Sequence, residues 1–218
     1  MGVFELIIAK PLAIRIIPNI DADYAYVLGL NEKHKSLGII TADNDDALYV
    51  SIDDATKKAD VEVVYAHSFY AGAKHSSGKL SGEIIALLAG PTPSEVSAGL
   101  DATVQYLTNY ALWYSANQDH SVAFFPHVIS KSGTYLSKKC DIPLGSPIAY
   151  LVAPPLEGLF ALDIALKSAA VRIVSYTAPP SETNYMGVIL TGDQSACTTA
   201  ASAFSNAVID VVNNPMRY

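Results

Sequence analysis

Asp45, Asp46, Glu83 and Trp113 are the side chains of this chain best suited to hold a small organic cation. A protonated amine that also carries a hydroxyl needs a carboxylate against its ammonium and a hydrogen-bond partner for the hydroxyl. An aromatic face can meet the cation's charge. Asp45 and Asp46 belong to the acidic turn Asp43-Asn44-Asp45-Asp46, Glu83 opens a strand pattern, and Trp113, the one tryptophan, falls near the end of a long helical pattern. The same four residues have a plainer reading as two solvated turn carboxylates, a strand-edge acid and a core indole. Taken by themselves they favour the plainer reading.

The loop over residues 66–81 is the second place where chemistry gathers. It holds His67, Ser68, Tyr70, Gly72, Gly78 and Ser81 between two strand patterns, and it is long for such a connection. His67 and His75 stand eight apart and could share a zinc ion across a symmetry axis. Solvated or loop-lining imidazoles are the simpler reading, and no metal is expected. His34, His120 and His127 have no ligand spacing. The sequence carries no GxSxG elbow, HExxH, Walker A or strand-borne GxGxxG motif, so no catalytic residue and no cofactor is assigned.

Composition narrows the classes further. Of 218 residues, 50% are hydrophobic and 16% charged, which excludes a disordered chain and asks for a large core or extensive interfaces. The net charge of −7 argues against a nucleic-acid partner. No apolar run approaches the roughly 20 residues of a spanning helix, and the N-terminal residues do not read as a signal peptide. A cytosolic protein without a membrane partner is expected. Cys140 and Cys197 form no metal-binding pattern and read as two buried thiols.

The elements that must position these residues come in two copies. Asp53-Asp54-Ala55-Thr56-Lys57-Lys58-Ala59-Asp60-Val61 matches Asp163-Ile164-Ala165-Leu166-Lys167-Ser168-Ala169-Ala170-Val171 at an offset of 110, with the Asp, Ala, Lys, Ala and Val positions coinciding. Residues 84–90 answer 186–192 at offset 102, and 17–20 answer 125–128 at offset 108. Each copy reads as strand (12–20; 122–129), short amphipathic segment (23–30; 133–139), strand (37–42; 148–153) and helix (about 52–59; about 156–169). A third strand (61–67; 171–177), a loop, a fourth strand (83–89; 187–191) and a long helix (94–115; 193–213) follow. One difference is expected: residues 47–52 look β-prone after the acidic turn, whereas Pro154-Pro155-Leu156-Glu157 leads directly into helix. The pattern predicts an α+β fold of antiparallel sheets with helices packed to one side, in two domains over 1–117 and 118–218.

Several strings go beyond pattern: Asp43-Asn44-Asp45-Asp46, Val61-Glu62-Val63-Val64-Tyr65, Tyr70-Ala71-Gly72-Ala73, Tyr150-Leu151-Val152-Ala153-Pro154-Pro155-Leu156-Glu157 and Pro179-Pro180-Ser181-Glu182-Thr183-Asn184-Tyr185. In this order the chain resembles the ethanolamine-utilisation shell proteins of bacterial microcompartments over nearly its whole length. The resemblance implies two tandem, circularly permuted microcompartment domains of ferredoxin-like fold and a homotrimer forming a pseudohexameric tile beside other shell proteins. It implies a structural role in the microcompartment shell, not catalysis. It also implies a central pore gated by His67, Ser68, Phe69, Tyr70, Ala71 and Gly72 with Ser181, Glu182, Thr183, Asn184 and Tyr185, wide enough when open for larger cofactors. Ethanolamine would bind in a smaller pore, at Asp45, Asp46, Glu83 and Trp113. The rival readings are a trimeric metabolite sensor of ferredoxin-like fold, and a lyase or deaminase using Asp45 and Glu83 as acid and base.

Overall fold

Strand runs rich in Val, Ile and Leu, with helices interspersed between them, build two four-stranded antiparallel cores of one topology. A computed structural model describes residues 5–69, 83–179, 181 and 183–217. The first core orders its strands β2 (Pro11–Ile17), β3 (Ser36–Ala42), β5 (Glu83–Gly90) and β4 (Glu62–Phe69). The second runs β7 (Ala123–Ile129), β8 (Ile148–Ala153), β10 (Met186–Gly192) and β9 (Val171–Thr177) in the same order. It is extended on its β7 edge by β6 (Leu112–Ser115) and β1 (Leu6–Ile8). Three helices accompany each core: α1 (Ala22–Val27), α2 (Asp45–Ala55) and α3 (Pro93–Asn109), then α4 (Thr134–Lys139), α5 (Pro155–Ser168) and α6 (Gln194–Asn213).

The equivalence of the copies extends to their irregularities. On the edge strand β4, Val63 pairs with Leu88 and Tyr65 with Leu87, so Val64 bulges out of register. On β9, Ile173 pairs with Leu190 and Ser175 with Ile189, so Val174 bulges. Val64 and Val174 are 110 apart, the offset of the sequence repeat. A bulge at the same place on both edge strands bends each strand and spoils it as a template for further pairing.

Two expectations are corrected. Residues 47–52 are helical: α2 starts at Asp45, because the Asn44 side chain caps it by accepting from the Ala47 N–H at 2.8 Å. Asp45 and Asp46 then stand in the first turn, where the helix dipole favours negative charge. The apolar residues that read as a strand are buried as a helix instead, so α2 matches α5 and the expected difference between the copies disappears. The long pattern at 94–115 breaks at Asn109, and the β-prone Leu112–Ser115 pairs with β7. Trp113 is therefore on a strand.

The chain divides into two compact units. One holds Ile8–Ala111 together with Gly133–Leu136; the other holds 5–7, Leu112–Ser132 and the described residues from Ser137 onward. In the second, Phe124, Leu151, Val188, Leu190 and Phe204 form the centre of the core. In the first, Ile20, Leu37, Leu87 and Ala89 cluster under Leu28 and Leu30. Gly38 of β3 lies so close to α3 that a Cβ there would come within 2.7 Å of Val96.

Gly133–Leu136 is held in the first unit by Asp53 of α2, which has no exposed surface. Its Oδ2 accepts from the Gly133 N–H at 2.6 Å and its Oδ1 from the Leu136 N–H at 2.8 Å. Thr56 Oγ1 donates to the Asp53 carbonyl and accepts from the Thr134 N–H. A Cβ on Gly133 would sit 2.3 Å from the Asp53 carbonyl oxygen, a backbone atom that cannot yield. Asp53→Ala leaves two buried N–H groups unsatisfied and is expected to lower stability by roughly 3 kcal/mol. Gly133→Ala is expected to destabilise through steric conflict. Urea denaturation at fixed protein concentration checks both, and an unchanged midpoint for Asp53→Ala refutes the clamp.

Candidate functional site

Sheet register assembles the acidic site. Pro11 on β2 pairs with Ala42 on β3, Ala42 with Ile84 on β5, and Glu83 with Phe69 on β4. One step beyond the last β2–β3 pair, the Asp43 N–H donates to the Lys10 carbonyl at 3.1 Å, and the Lys10 N–H donates to Asp43 Oδ1 at 2.6 Å. Lys10, Asp43, Glu83 and Phe69 therefore form a row across the end of the four-stranded sheet. Helix α2 opens directly after Asp43, placing the buried Asp45 and Asp46 beside this row by chain continuity.

Electrostatics tie the row together. Burial pushes the Asp43 carboxyl above the usual carboxylate range; hydrogen bonding from the Lys10 N–H and the Lys10 charge pull it down, and Glu83 raises it further. The Glu83 charge is the smallest of these influences on Asp43, and burial is the largest. Such an arrangement suits a cation, which relieves the mutual repulsion. Asp43 was not among the expected ligands. Its place one residue after a strand, in register with Glu83, is the signal that could have identified it.

The residues expected to form a gate in the first copy begin at the same end of the sheet. Ser68 is buried, and its N–H donates to the Tyr49 hydroxyl at 3.2 Å, so α2 holds the end of β4. His67 is exposed, with its ring 5.8 Å from that of Tyr65. Phe69 is partly exposed opposite Glu83. Tyr70, Ala71, Gly72, His75 and Glu182 lie outside the described residues. On the same α2, the Tyr49 ring stacks on Tyr135 at 6.2 Å. Neither Tyr49 nor Asp53 was singled out from sequence.

Trp113 belongs to the other compact unit. It is buried, stacked on Phe125 at 5.3 Å and met edge-on by Tyr185 at 5.6 Å. Tyr185 closes the second copy's candidate gate. There the Thr183 and Asn184 N–H groups donate to the Ser181 Oγ and carbonyl, and Asn184 takes a left-handed backbone at φ 65°. The contact with Trp113 fastens one end of this turn to the sheet. Cys140 and Cys197 are buried and outside any disulfide. Among the described residues, no group of three His, Cys, Asp or Glu side chains is arranged for a metal, and no helix is long and apolar enough to cross a membrane.

Comparison with known proteins gives a consistent picture. The BMC domain model matches residues 36–117 and 153–216. The bacterial microcompartment shell protein EutL of Clostridium perfringens is 49% identical over 214 residues, covering 98% of this chain and 99% of that protein. EutL of Escherichia coli is 48% identical over 217 residues, covering 100% and 99%. The crystal structure of the ethanolamine utilization protein EutL from Leptotrichia buccalis superposes with a TM-score of 0.93 at 53% identity over the full length of both chains. The trimeric shell protein PduB shares the fold at 17% identity, with a TM-score of 0.76 over 94% of this chain and 89% of that one.

Asp43→Asn keeps an oxygen acceptor for the Lys10 N–H while removing the charge. A raised folded-state pKa means that Asp43 contributes stability fully present below its ordinary 3.8 and lost as pH rises through its folded value. The stability of Asp43→Asn relative to the parent is therefore expected to increase as pH rises above 3.8. Thermal melts across pH 3.5–6.5 read this trend, and a constant difference would contradict it.

Proposed function

The chain belongs to the EutL family of bacterial microcompartment shell proteins, built from two tandem BMC domains, and from this premise we propose that it forms a trimeric tile of an ethanolamine-utilisation shell with a gated central pore and a smaller ethanolamine-binding pore. The family role is structural rather than catalytic, and the protein takes its place in the shell as a tile-forming component. The single observation that supports the binding reading best is the register that puts Glu83 and Asp43 together beside the first turn of α2.

In this reading the ethanolamine ammonium is held by Glu83, Asp45 and Asp46, with Asp43 adding to the local negative potential. Charge-assisted hydrogen bonds supply the attraction. Trp113 is the aromatic residue the family resemblance assigns to the site, and Phe125 and Tyr185 hold its ring in one orientation. Binding must stay weak, because a solute that passes through a pore has to leave it. A dissociation constant of about 1 mM corresponds to only about 4 kcal/mol, which several charge-assisted contacts to partly buried carboxylates have to supply together.

The gate reading assigns the central pore to 67–72 and 181–185. The first segment leaves β4 beyond a stem fixed by Tyr49, and the second ends on the Tyr185–Trp113 contact. Three copies of a duplicated domain supply six similar wedges around an axis, which favours cyclic closure. The tile would stand beside other shell proteins, and the open pore would pass larger cofactors.

Calorimetry with ethanolamine tests the binding reading. Glu83→Ala is expected to weaken binding at least tenfold, and Trp113→Ala to weaken it less; equal isotherms for parent and Glu83→Ala would refute the site. Deletion of 70–78 is expected to leave the assembly intact with the central pore open. A closed centre in the structure of that deletion would remove the gate from this segment.

A further inference from the structure

The acidic end of the first sheet carries a cation of its own. Asp43 and Glu83 stand in the row that closes this end, and Asp45 and Asp46 follow at the head of α2. Against these carboxylates, Lys10 is the one Lys or Arg among the described residues of the strand ends and helix head that meet there. Its place is fixed by the backbone. The Lys10 N–H donates to Asp43 Oδ1 at 2.6 Å, and the Lys10 carbonyl accepts from the Asp43 N–H at 3.1 Å. Residue 10 is thus anchored through its main-chain atoms alone.

That leaves the ammonium uncommitted. Lys57 and Lys58, at the other end of α2, both bind Asp54, at 2.9 and 2.7 Å. Lys10 is exposed and makes no direct ion pair with a described carboxylate. Its charge nevertheless reaches the row, where it draws the Asp43 carboxyl down more strongly than Glu83 pushes it up. A lysine is a compact charge on a flexible stem. Held beside acids without pairing to any of them, it cancels part of their field and repels a second cation that approaches.

We infer that Lys10 is a built-in counter-ion of this acidic end and sets how weakly it holds an organic ammonium, a role that rests on the amine-binding reading above. Ligand and lysine compete for one set of carboxylates, so the acids supply the attraction and Lys10 limits it. The same charge selects among ligands. Repulsion from Lys10 grows with the charge of the ligand, so a monoamine is penalised less than a diamine that carries two ammonium groups. Without Lys10 the carboxylates would favour the more highly charged ligand.

Calorimetry on the full-length protein tests this. Lys10→Met and Lys10→Gln keep the main-chain bonds, and each is expected to tighten ethanolamine binding about threefold to fivefold, the scale of an exposed ion contact. Lys10→Arg is expected to bind as the parent does. For 1,3-diaminopropane, a dication at neutral pH, the gain from Lys10→Met is expected to be larger than for ethanolamine. Salt at about 0.5 M is expected to remove most of either gain, because an exposed charge is screened. Lys35→Met deletes the same charge at the opposite end of β3, roughly 25 Å along the strand, and is expected to leave the isotherm unchanged. Equal isotherms for parent and Glu83→Ala would overturn the amine-binding reading itself. Three results would overturn the role of Lys10 alone, in a parent that binds through Glu83. They are no gain from Lys10→Met and Lys10→Gln, an equal gain from Lys35→Met, or a gain that high salt leaves intact.

Discussion

A carboxylate without exposed surface governs the first compact unit. Asp53 is ringed by donors from residues 80 and 83 positions away in sequence, Gly133 and Leu136. Burial alone would drive it toward the neutral acid; the two N–H bonds and Lys57 oppose that, and burial prevails, leaving its pKa above the usual range. Two short hydrogen bonds to backbone groups are what make a polar atom at this depth tolerable. Because α2 carries Asp45 and Asp46 at its head and Asp53 two turns on, fixing Asp53 fixes the direction of the helix and the placing of the acidic turn. Tyr49, between them, transmits the same rigidity to Ser68 through its hydroxyl.

The proposed amine site would draw its attraction from carboxylates gathered at one end of the sheet. Asp43 and Glu83 meet at one end of the sheet because antiparallel register leaves no choice about which residues are opposite. Their charges resist being together, and a cation between them gains what each would lose to the other. The gain is moderated by solvent and salt, since exposed ion contacts are typically worth about 1 kcal/mol or less each. Under the proposed function, a site of this kind would discriminate charge sign and release its ligand quickly.

Most of the architecture was legible in the residues. Periodicity and the 110-residue repeat gave the strands of both cores, the order of elements and the α+β class, because a half-buried strand records its burial in alternation. Two boundaries were misread for the same reason. Residues 47–52 are rich in residues that suit a strand, and only the Asn44 cap and burial on several sides make them a helix. Leu112–Ser115 continues a helical pattern that ends when Tyr110 leaves helical geometry. The acidic turn and Glu83 were visible as candidates, whereas Asp43, Lys10 and Tyr49 required register and side-chain contacts that no local string encodes. Asp53 was present in the repeat alignment as a matched Asp, but matching could not tell a sealed carboxylate from its exposed equivalent, Asp163.

That contrast explains what duplication achieves here. In a ring of identical single domains, every copy of a helix face must serve the same neighbour, and a polar ligand site placed on one face appears on all. Joining two copies in one chain frees them to diverge while keeping the backbone contact pattern, shown by the shared strand order and by the bulges at Val64 and Val174. The first copy has put acids at the head of its helix, at positions where the second has Pro155 and Leu156. The second has kept an apolar face of Leu156, Leu159, Phe160 and Ile164, a composition suited to association and unsuited to a cation. Charge on α2 and greasiness on α5 are thus alternative uses of one position in the fold, and a chain of two copies can hold both.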